Sequence, residues 1–156
     1  MLPAAAVLWL TLDAAFRPLF VYPGYRNGLE LSGGFRLAHA ITSGVELAIA
    51  GRTGVTVADD WRPTVDGRAE LNIERLDIEL HAGVRHDDRL RRAGALADFR
   101  DPTGRLFLGA GIFPLRRGWF SAGAALDYER ALPGDGRLPS AVSLAAVGRL
   151  RWRTHP

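Results

Sequence analysis

Hydrophobic and polar residues alternate with a period of two through most of this chain. In Ala141–Trp152 every second side chain is apolar, and the opposite face ends in Arg149 and Arg151. Successive side chains of a strand point to opposite faces, so this pattern predicts a strand with one apolar face. The same alternation predicts seven more strands: Leu8–Arg17, Leu29–His39, Val45–Val57, Thr64–Ile73, Leu76–Val84, Arg105–Pro114 and Trp119–Arg130.

Two segments leave the number of strands open. Residues 1–15 have the apolar core of a signal peptide but no basic residue before it, and Asp13 lies where a small uncharged residue is expected. We favour a first strand, with a bulge or strand end at Pro18. The apolar parity then changes at Glu74-Arg75, which indicates a tight turn or a bulge in one long strand. We favour the turn because it gives an even count; seven strands and a signal segment form the alternative.

Long and short connections alternate along the chain. Short turns are predicted at residues 41–44, 74–75 and 115–118, and longer connections at residues 23–28, 59–63, 86–104 and 131–139. The longest, His86–Gly104, is charged and does not alternate, and its middle could form a helical turn. Short turns at one end, long loops at the other and an even strand number are typical of bacterial membrane barrels. The pattern predicts one all-β domain over residues 1–156, an antiparallel up-and-down transmembrane β-barrel of eight strands.

Charge is concentrated on the polar face of the predicted strands. An arginine facing lipid at mid-depth costs about 2–4 kcal/mol, so we expect the apolar face to contact lipid and the charged face to line the interior. Both signs occur in near balance, which suits a network of paired buried charges in a barrel narrow enough for side chains to fill. The predicted interior network consists of Asp13, Arg17, Glu30, Arg36, Glu46, Arg52, Glu70, Asp77, Glu79, Arg85, Asp127, Glu129, Arg149 and Arg151.

Composition excludes several classes of function. The 156 residues include no cysteine, which excludes disulfides and thiolate metal sites. The 20 basic residues, all arginine, face 17 acidic ones for a formal net charge of +3. The two signs are interspersed rather than gathered in one basic patch, which argues against nucleic-acid binding. No apolar run is long enough for a transmembrane helix.

Residues that could carry catalysis are few. Ser121, His81 and Glu79 share the predicted interior face. A lipid-modifying enzyme would need a hydroxyl, an imidazole and a carboxylate together near the lipid, and the spacing does not place these three at one level. We favour an interior histidine held by hydrogen bonds. We therefore predict no catalytic residue and no enzymatic activity.

The long charged connection holds the remaining candidate sites. His86-Asp87-Asp88 could hold a metal at a loop mouth, but we favour a solvated loop and predict no metal site and no cofactor. Arg89, Arg91 and Arg92 could contact lipopolysaccharide, because the guanidinium fork matches phosphate.

The closing strand carries one further pattern, with Gly148, Leu150 and Trp152 on one face near its end. With the alternating strands and connections, it resembles the small eight-stranded outer-membrane proteins of the OmpA/OmpX type. The spacing is similar to the terminal signal that the barrel-assembly machinery reads, although there the aromatic residue ends the chain and here residues 153–156 follow. The resemblance implies insertion into the bacterial outer membrane as a monomer, with outer-membrane lipid, lipopolysaccharide and the assembly machinery as partners.

Three functions are compatible with these patterns. The first is a non-enzymatic outer-membrane barrel with a plugged interior and a structural or surface-contact role, or at most a narrow pore. The second is a soluble lipocalin-like barrel whose leucine-rich face surrounds an apolar ligand. The third is a lipid-modifying barrel enzyme. We predict the first, because the order of the connections favours a membrane barrel and no residues favour catalysis.

Overall fold

Eight strands form a single closed sheet in this computed structural model, which describes residues 6–21, 28–57, 61–92, 98–132 and 141–154. The strands are β1 (Val7–Val21), β2 (Gly28–Thr42), β3 (Val45–Val57), β4 (Trp61–Ile73), β5 (Ile78–Arg92), β6 (Asp98–Arg117), β7 (Phe120–Ala131) and β8 (Ala141–Arg153). Each pairs antiparallel with its neighbours in sequence, and β1 pairs with β8, which closes the barrel. The predicted eight-stranded up-and-down barrel is confirmed. Within the described ranges, no helix has the length and apolarity to cross a bilayer.

The structure decides both questions that left the number of strands open. The N-terminal segment forms β1, and its register with β8 shifts between Phe16 and Leu19. Pro18 has no backbone N–H to offer the ladder there, so the predicted irregularity is confirmed. The parity change is a turn: Glu74–Leu76 form one 3₁₀ turn, and Asp77 closes it in the left-handed conformation with φ 54°.

The loop predicted over His86–Gly104 is wrong at both ends, and its middle, residues 93–97 with the helical turn expected there, lies outside the described residues. β5 and β6 run through it as a continuous antiparallel pair that reaches Arg92 opposite Asp98. Hydrophobic alternation stops after Val84 on β5 and begins only at Leu106 on β6, so the sequence pattern could not reveal the extension. Hydrogen bonds between the two backbones continue the hairpin there, although neither of its faces is apolar. The predicted connection at 59–63 is also too long, because β4 begins at Trp61.

The distribution of side chains is the reverse of that in a water-soluble protein. Among the described residues, seven apolar side chains are buried against nineteen polar or charged ones. Large apolar side chains cover the outside, where Leu12, Ile49 and Leu126 are 51%, 56% and 54% exposed. Soluble monomers seldom expose so continuous an apolar surface, whereas a barrel in a bilayer requires it. The lipocalin-like alternative needs the leucine-rich face inside, and the structure places it outside.

Gly34 allows β2 and β3 to approach closely. A Cβ at this position would lie 2.0 Å from the carbonyl oxygen of Gly51. A backbone oxygen cannot move aside as the end of a flexible side chain can, so the two strands would have to separate locally.

We expect Gly34→Ala to lower the free energy of unfolding by about 1–3 kcal/mol, the usual cost of overpacking. Gly67→Ala is the matched control, because a Cβ on this mid-strand glycine meets no atom within 4 Å, and it should cause no loss. Urea unfolding in detergent micelles, followed by tryptophan fluorescence, compares the two. Equal losses would contradict the steric explanation.

Candidate functional site: the interior ion-pair network

Every strand contributes charge to one network inside the barrel. The period of two explains how β4 does so, because Asp66, Arg68 and Glu70 are spaced two residues apart and all three are buried. The other seven strands contribute Asp13 (β1), Glu30 and Arg36 (β2), Glu46 and Arg52 (β3), Glu79, His81 and Arg85 (β5), Arg105 (β6), Asp127 and Glu129 (β7), and Arg149 and Arg151 (β8).

Arg149 is the centre of the network. Its two terminal nitrogens donate to the two carboxylate oxygens of Glu79 at 2.6 and 3.2 Å, and its Nε donates to Asp13 at 3.0 Å. The two-pronged contact matches the planar guanidinium to the planar carboxylate, which is the strongest form of this pair. The guanidinium also lies 4.9 Å from the centre of the Phe113 ring. One side chain thereby ties β8 to β1, β5 and β6.

Asp13 and Arg52 connect this centre to the far side of the barrel. The second oxygen of Asp13 accepts from Arg52 at 3.0 Å. Arg52 also donates to both oxygens of Asp66, at 2.9 and 2.8 Å. A continuous chain of ion pairs therefore crosses the interior from β8 through β1 to β3 and β4.

A second branch runs toward the short turns. Arg36 donates to Glu70 at 2.6 Å and also pairs with Glu46. Arg68 lies 2.5 Å from the other oxygen of Glu70 and 3.8 Å from Glu79, which returns the branch to the centre.

A third branch runs toward the opposite end of the barrel. Arg85 donates to Glu30 at 3.1 Å and to Glu129 at 3.4 Å, and it lies 3.8 Å from Asp66. Arg105 donates to the other oxygen of Glu129 at 3.0 Å. The network thus extends along most of the barrel axis rather than forming one ring.

His81 is held between two carboxylates. Its Nε2 lies 2.6 Å from Asp127, and its Nδ1 lies 3.6 Å from Glu79. The hydroxyl oxygen of Ser121 has no hydrogen-bond partner among the described residues, so Ser121, His81 and Glu79 do not form a hydrogen-bonded triad. The histidine belongs to the ion-pair network.

The described charges nearly balance. Seven arginines face eight carboxylates, and each arginine lies within 4.0 Å of at least one carboxylate. Pairing is essential here, since an isolated buried charge costs several kcal/mol. Among the described residues, a cavity of about 30 Å³ lies beside Arg52, Arg68 and Arg85, enough for about two or three water molecules. Where side chains are described, ion pairs occupy most of the space around it.

Twelve of the fourteen residues predicted for the interior lie in this network, one does not, and the side chain of one is outside the described part of the chain. Asp77 is a correction: it belongs to the turn before β5, its side chain is 43% exposed, and it lies 3.4 Å from Arg116. Strand parity does not apply inside a turn. The side chain of Arg17 lies outside the described residues. The twelve are Asp13, Glu30, Arg36, Glu46, Arg52, Glu70, Glu79, Arg85, Asp127, Glu129, Arg149 and Arg151.

The sequence prediction missed three charged members of the network. Asp66 and Arg68 have the same parity as Glu70, so the pattern already contained the signal for them. Arg105 was missed because both faces of β6 carry apolar residues, which hides the direction of each side chain. Phe107, 8% exposed, points inward on the same strand.

The remaining predicted residues of the long connection can be placed only by their backbone. The backbone of Arg89, Arg91 and Arg92 belongs to β5, not to a loop, and Arg89 is opposite Asp101 in the register. Their side chains lie outside the described residues, as do those of Asp87 and Asp88. Where side chains are described, no cluster of three or more histidine or acidic residues could hold a metal ion.

The predicted assembly signal lies at the seam where the barrel closes. Gly148, Leu150 and Trp152 pair with Ala14, Leu12 and Leu10 of β1. Trp152 is 42% exposed on the outer surface. This face is available to lipid or to another protein along the last strand.

An apolar exterior around an ion-paired interior defines the class of small transmembrane β-barrels. The chain resembles the N-terminal β-barrel domain of OprF from Pseudomonas aeruginosa, with a TM-score of 0.60 and 15% sequence identity over 95% of this chain and 100% of that one. The predicted resemblance to small eight-stranded outer-membrane barrels is confirmed, and at this identity it shows the fold alone.

Two other solved structures are similar over nearly the whole chain. Ail, the attachment invasion locus protein of Yersinia pestis, has a TM-score of 0.49 and 12% identity over 94% of this chain and 97% of that one. Neisserial surface protein A has a TM-score of 0.46 and 12% identity over 95% and 99%. Neither a protein-family model nor a curated protein sequence matches the chain.

Proposed function

We propose that this chain is a non-enzymatic barrel of the bacterial outer membrane whose interior is closed by ion pairs. It acts as a structural and surface-contact element rather than as an open pore. The observation that carries this proposal is the continuity of the network, from Glu46 near the short turns to Arg105 at the opposite end. The likeness to outer-membrane barrels supports the location.

Closure of the lumen follows from the cost of opening it. The cavity beside the arginines holds only about two or three water molecules, so a hydrated ion can pass this level only if side chains move apart. Such a movement means separating pairs such as Arg149 and Glu79, and breaking one buried pair costs about 3–5 kcal/mol. Several pairs lie in series along the axis, so spontaneous opening is rare.

The surfaces suit the proposed partners. The apolar outer face suits outer-membrane lipid, and Gly148, Leu150 and Trp152 suit the barrel-assembly machinery. The backbone of Arg89, Arg91 and Arg92 belongs to the extended β5–β6 hairpin, and these arginines would contact lipopolysaccharide phosphates if the short turns face the periplasm. The proposed state is a monomer, because the barrel is complete in one chain.

We expect no steady conductance from the purified protein in planar lipid bilayers, whereas Glu79→Ser with Arg149→Ser should produce discrete current steps. The double change removes the central pair without changing the net charge. The matched control is Asp77→Ser with Arg116→Ser, which removes an exposed pair at the turns and should stay closed. A large stable conductance in the unaltered protein would overturn the proposed closure.

The absence of enzymatic activity has its own test. Ser121 and His81 are not hydrogen-bonded to one another, which supports the proposal. Expression of the protein in a Gram-negative host should leave the mass spectrum of lipid A and phospholipids unchanged. A new lipid species that disappears with His81→Gln would show that the barrel is an enzyme.

A further inference from the structure

A second pocket lies at the short-turn end of the barrel, where Arg151 forms the edge of the ion-pair network. It is bounded by the turn between β6 and β7 and by the end of β8, and its volume is about 60 Å³. Phe113 and Trp119 form apolar walls, and Arg116, Arg151 and Ser121 provide the polar groups. The site is distinct from the lumen cavity.

The polar side chains of this pocket have hydrogen-bond donors that their contacts within the protein do not use. Arg116 donates its Nε to the carbonyl oxygen of Phe113 at 3.3 Å and lies 3.4 Å from Asp77. Arg151 lies 3.5 Å from Glu79, a carboxylate that Arg149 already holds at 2.6 Å.

Two of the buried donors lining the pocket lack any partner among the described residues. They are the Nε of Arg151 and the hydroxyl of Ser121. Buried polar atoms are nearly always hydrogen-bonded in native proteins, to water or ligand where the protein offers nothing.

The surroundings of the pocket carry excess positive charge. Five arginines lie at the short turns and at the end of β8, against four carboxylates at the same end, two of which already pair with Arg36 and Arg149. The arginines are Arg75, Arg116, Arg117, Arg151 and Arg153, and the carboxylates are Glu46, Glu74, Asp77 and Glu79. An anion in the pocket would neutralise cations that the protein leaves poorly paired.

We propose that this pocket binds a phosphate group, from either a phospholipid head group or a free phosphate. The volume is enough for about four to six water molecules at roughly 10–15 Å³ for each, which is room for the five heavy atoms of a phosphate. Guanidinium forks match phosphate oxygens, and the hydroxyl of Ser121 adds a neutral donor.

The position of the pocket along the barrel also fits a phosphate. Trp119 and Trp152, 62% and 42% exposed, lie at the same end of the barrel. Exposed tryptophans concentrate at the level of the lipid head groups, so the pocket opens where phosphates are abundant. The inference does not depend on whether the lumen is closed.

Isothermal titration calorimetry on the folded protein in dodecyl maltoside, which contains no phosphate, tests the proposal. Sodium phosphate is titrated in one arm, sodium acetate at equal ionic strength in a second, and micelles doped with phosphatidic acid in a third. The variant is Arg116→Gln with Arg151→Gln. The control is Arg117→Gln with Arg153→Gln, which makes the same charge change at the same end but outside the pocket. Heat-dependent gel mobility checks that each variant is folded, and Arg116→Gln alone serves if the double variant is not.

We expect phosphate or phosphatidic acid to bind, with affinity about tenfold weaker for each pocket arginine removed and changed by less than about twofold in the control. Binding of free phosphate identifies a site for soluble phosphates, and binding of phosphatidic acid alone identifies a head-group site. The proposal is overturned if neither binds, if acetate binds as well as phosphate, or if both pairs of substitutions weaken binding equally.

Discussion

Replacing Arg149 by glutamine is expected to lower the free energy of unfolding by about 3–5 kcal/mol. The side chain is 3% exposed and pairs with both Asp13 and Glu79. Glutamine has no charge and cannot form the two-pronged contact, so buried Glu79 would lose its main partner and buried Asp13 one of its arginine partners. Uncompensated buried charge accounts for most of the expected loss.

Urea unfolding of the barrel in lipid vesicles measures this effect. Arg153→Gln is the matched control, because Arg153 lies on the same face of β8 but is exposed at its end, and it should change stability by less than about 0.5 kcal/mol. The double variant Glu79→Gln with Arg149→Gln should lose less than the sum of the two single variants, because residues in contact are not additive. Strict additivity would mean that the two side chains do not stabilise each other.

Placing an arginine on the outer surface at mid-strand should be the second most damaging change. Leu126 is 54% exposed near the middle of β7, and Leu126→Arg is expected to cost about 2–4 kcal/mol in a bilayer. The guanidinium would face hydrocarbon with no carboxylate beside it on the outer face. An aqueous environment would impose no such cost.

The control for this prediction makes the same leucine-to-arginine change at a different depth in the bilayer. Leu115 is 61% exposed near the turn at Gly118, and Leu115→Arg should cost about 0–1 kcal/mol, because the side chain can reach the interface. Equilibrium unfolding in vesicles of phosphate-containing lipids compares the two variants. A neutral Leu126→Arg would show that this face does not contact lipid.

The fold was predictable from sequence to the extent that lipid and lumen demand different side chains. Each strand has one face toward lipid and one toward the lumen, so its apolar and polar residues alternate. The change in this alternation at residues 74–75 predicted the turn that the structure has at Glu74–Leu76. The pattern failed at the outer part of hairpin β5–β6, where strand pairing continues without an apolar face. It also failed at Asp77, since a turn residue has no strand parity.

The candidate site was predictable as a set of residues but not as a set of contacts. Parity alone shows that Asp13 and Arg149 point inward. Parity does not show that both terminal nitrogens of Arg149 donate to Glu79. These two residues are 70 positions apart and belong to strands that do not pair. Partner choice across the lumen depends on strand stagger and side-chain reach, which no local pattern encodes. The pocket at the short-turn end could not be predicted for the same reason.

The apolar face of this barrel is expected to contact lipid, while the charged face is enclosed. The chain contains no cysteine, so single cysteines can be introduced at Leu126 and Tyr128 on the outer face and at Ala125 on the inner face. Each is labelled with a small bimane fluorophore, refolded into vesicles, and exposed to lipids that carry a nitroxide quencher on the acyl chain.

We predict strong quenching of the probe at positions 126 and 128 and little at position 125, in step with the period of two along β7. Equal quenching at all three positions, or a probe at position 126 that only a water-soluble quencher reaches, would contradict the account.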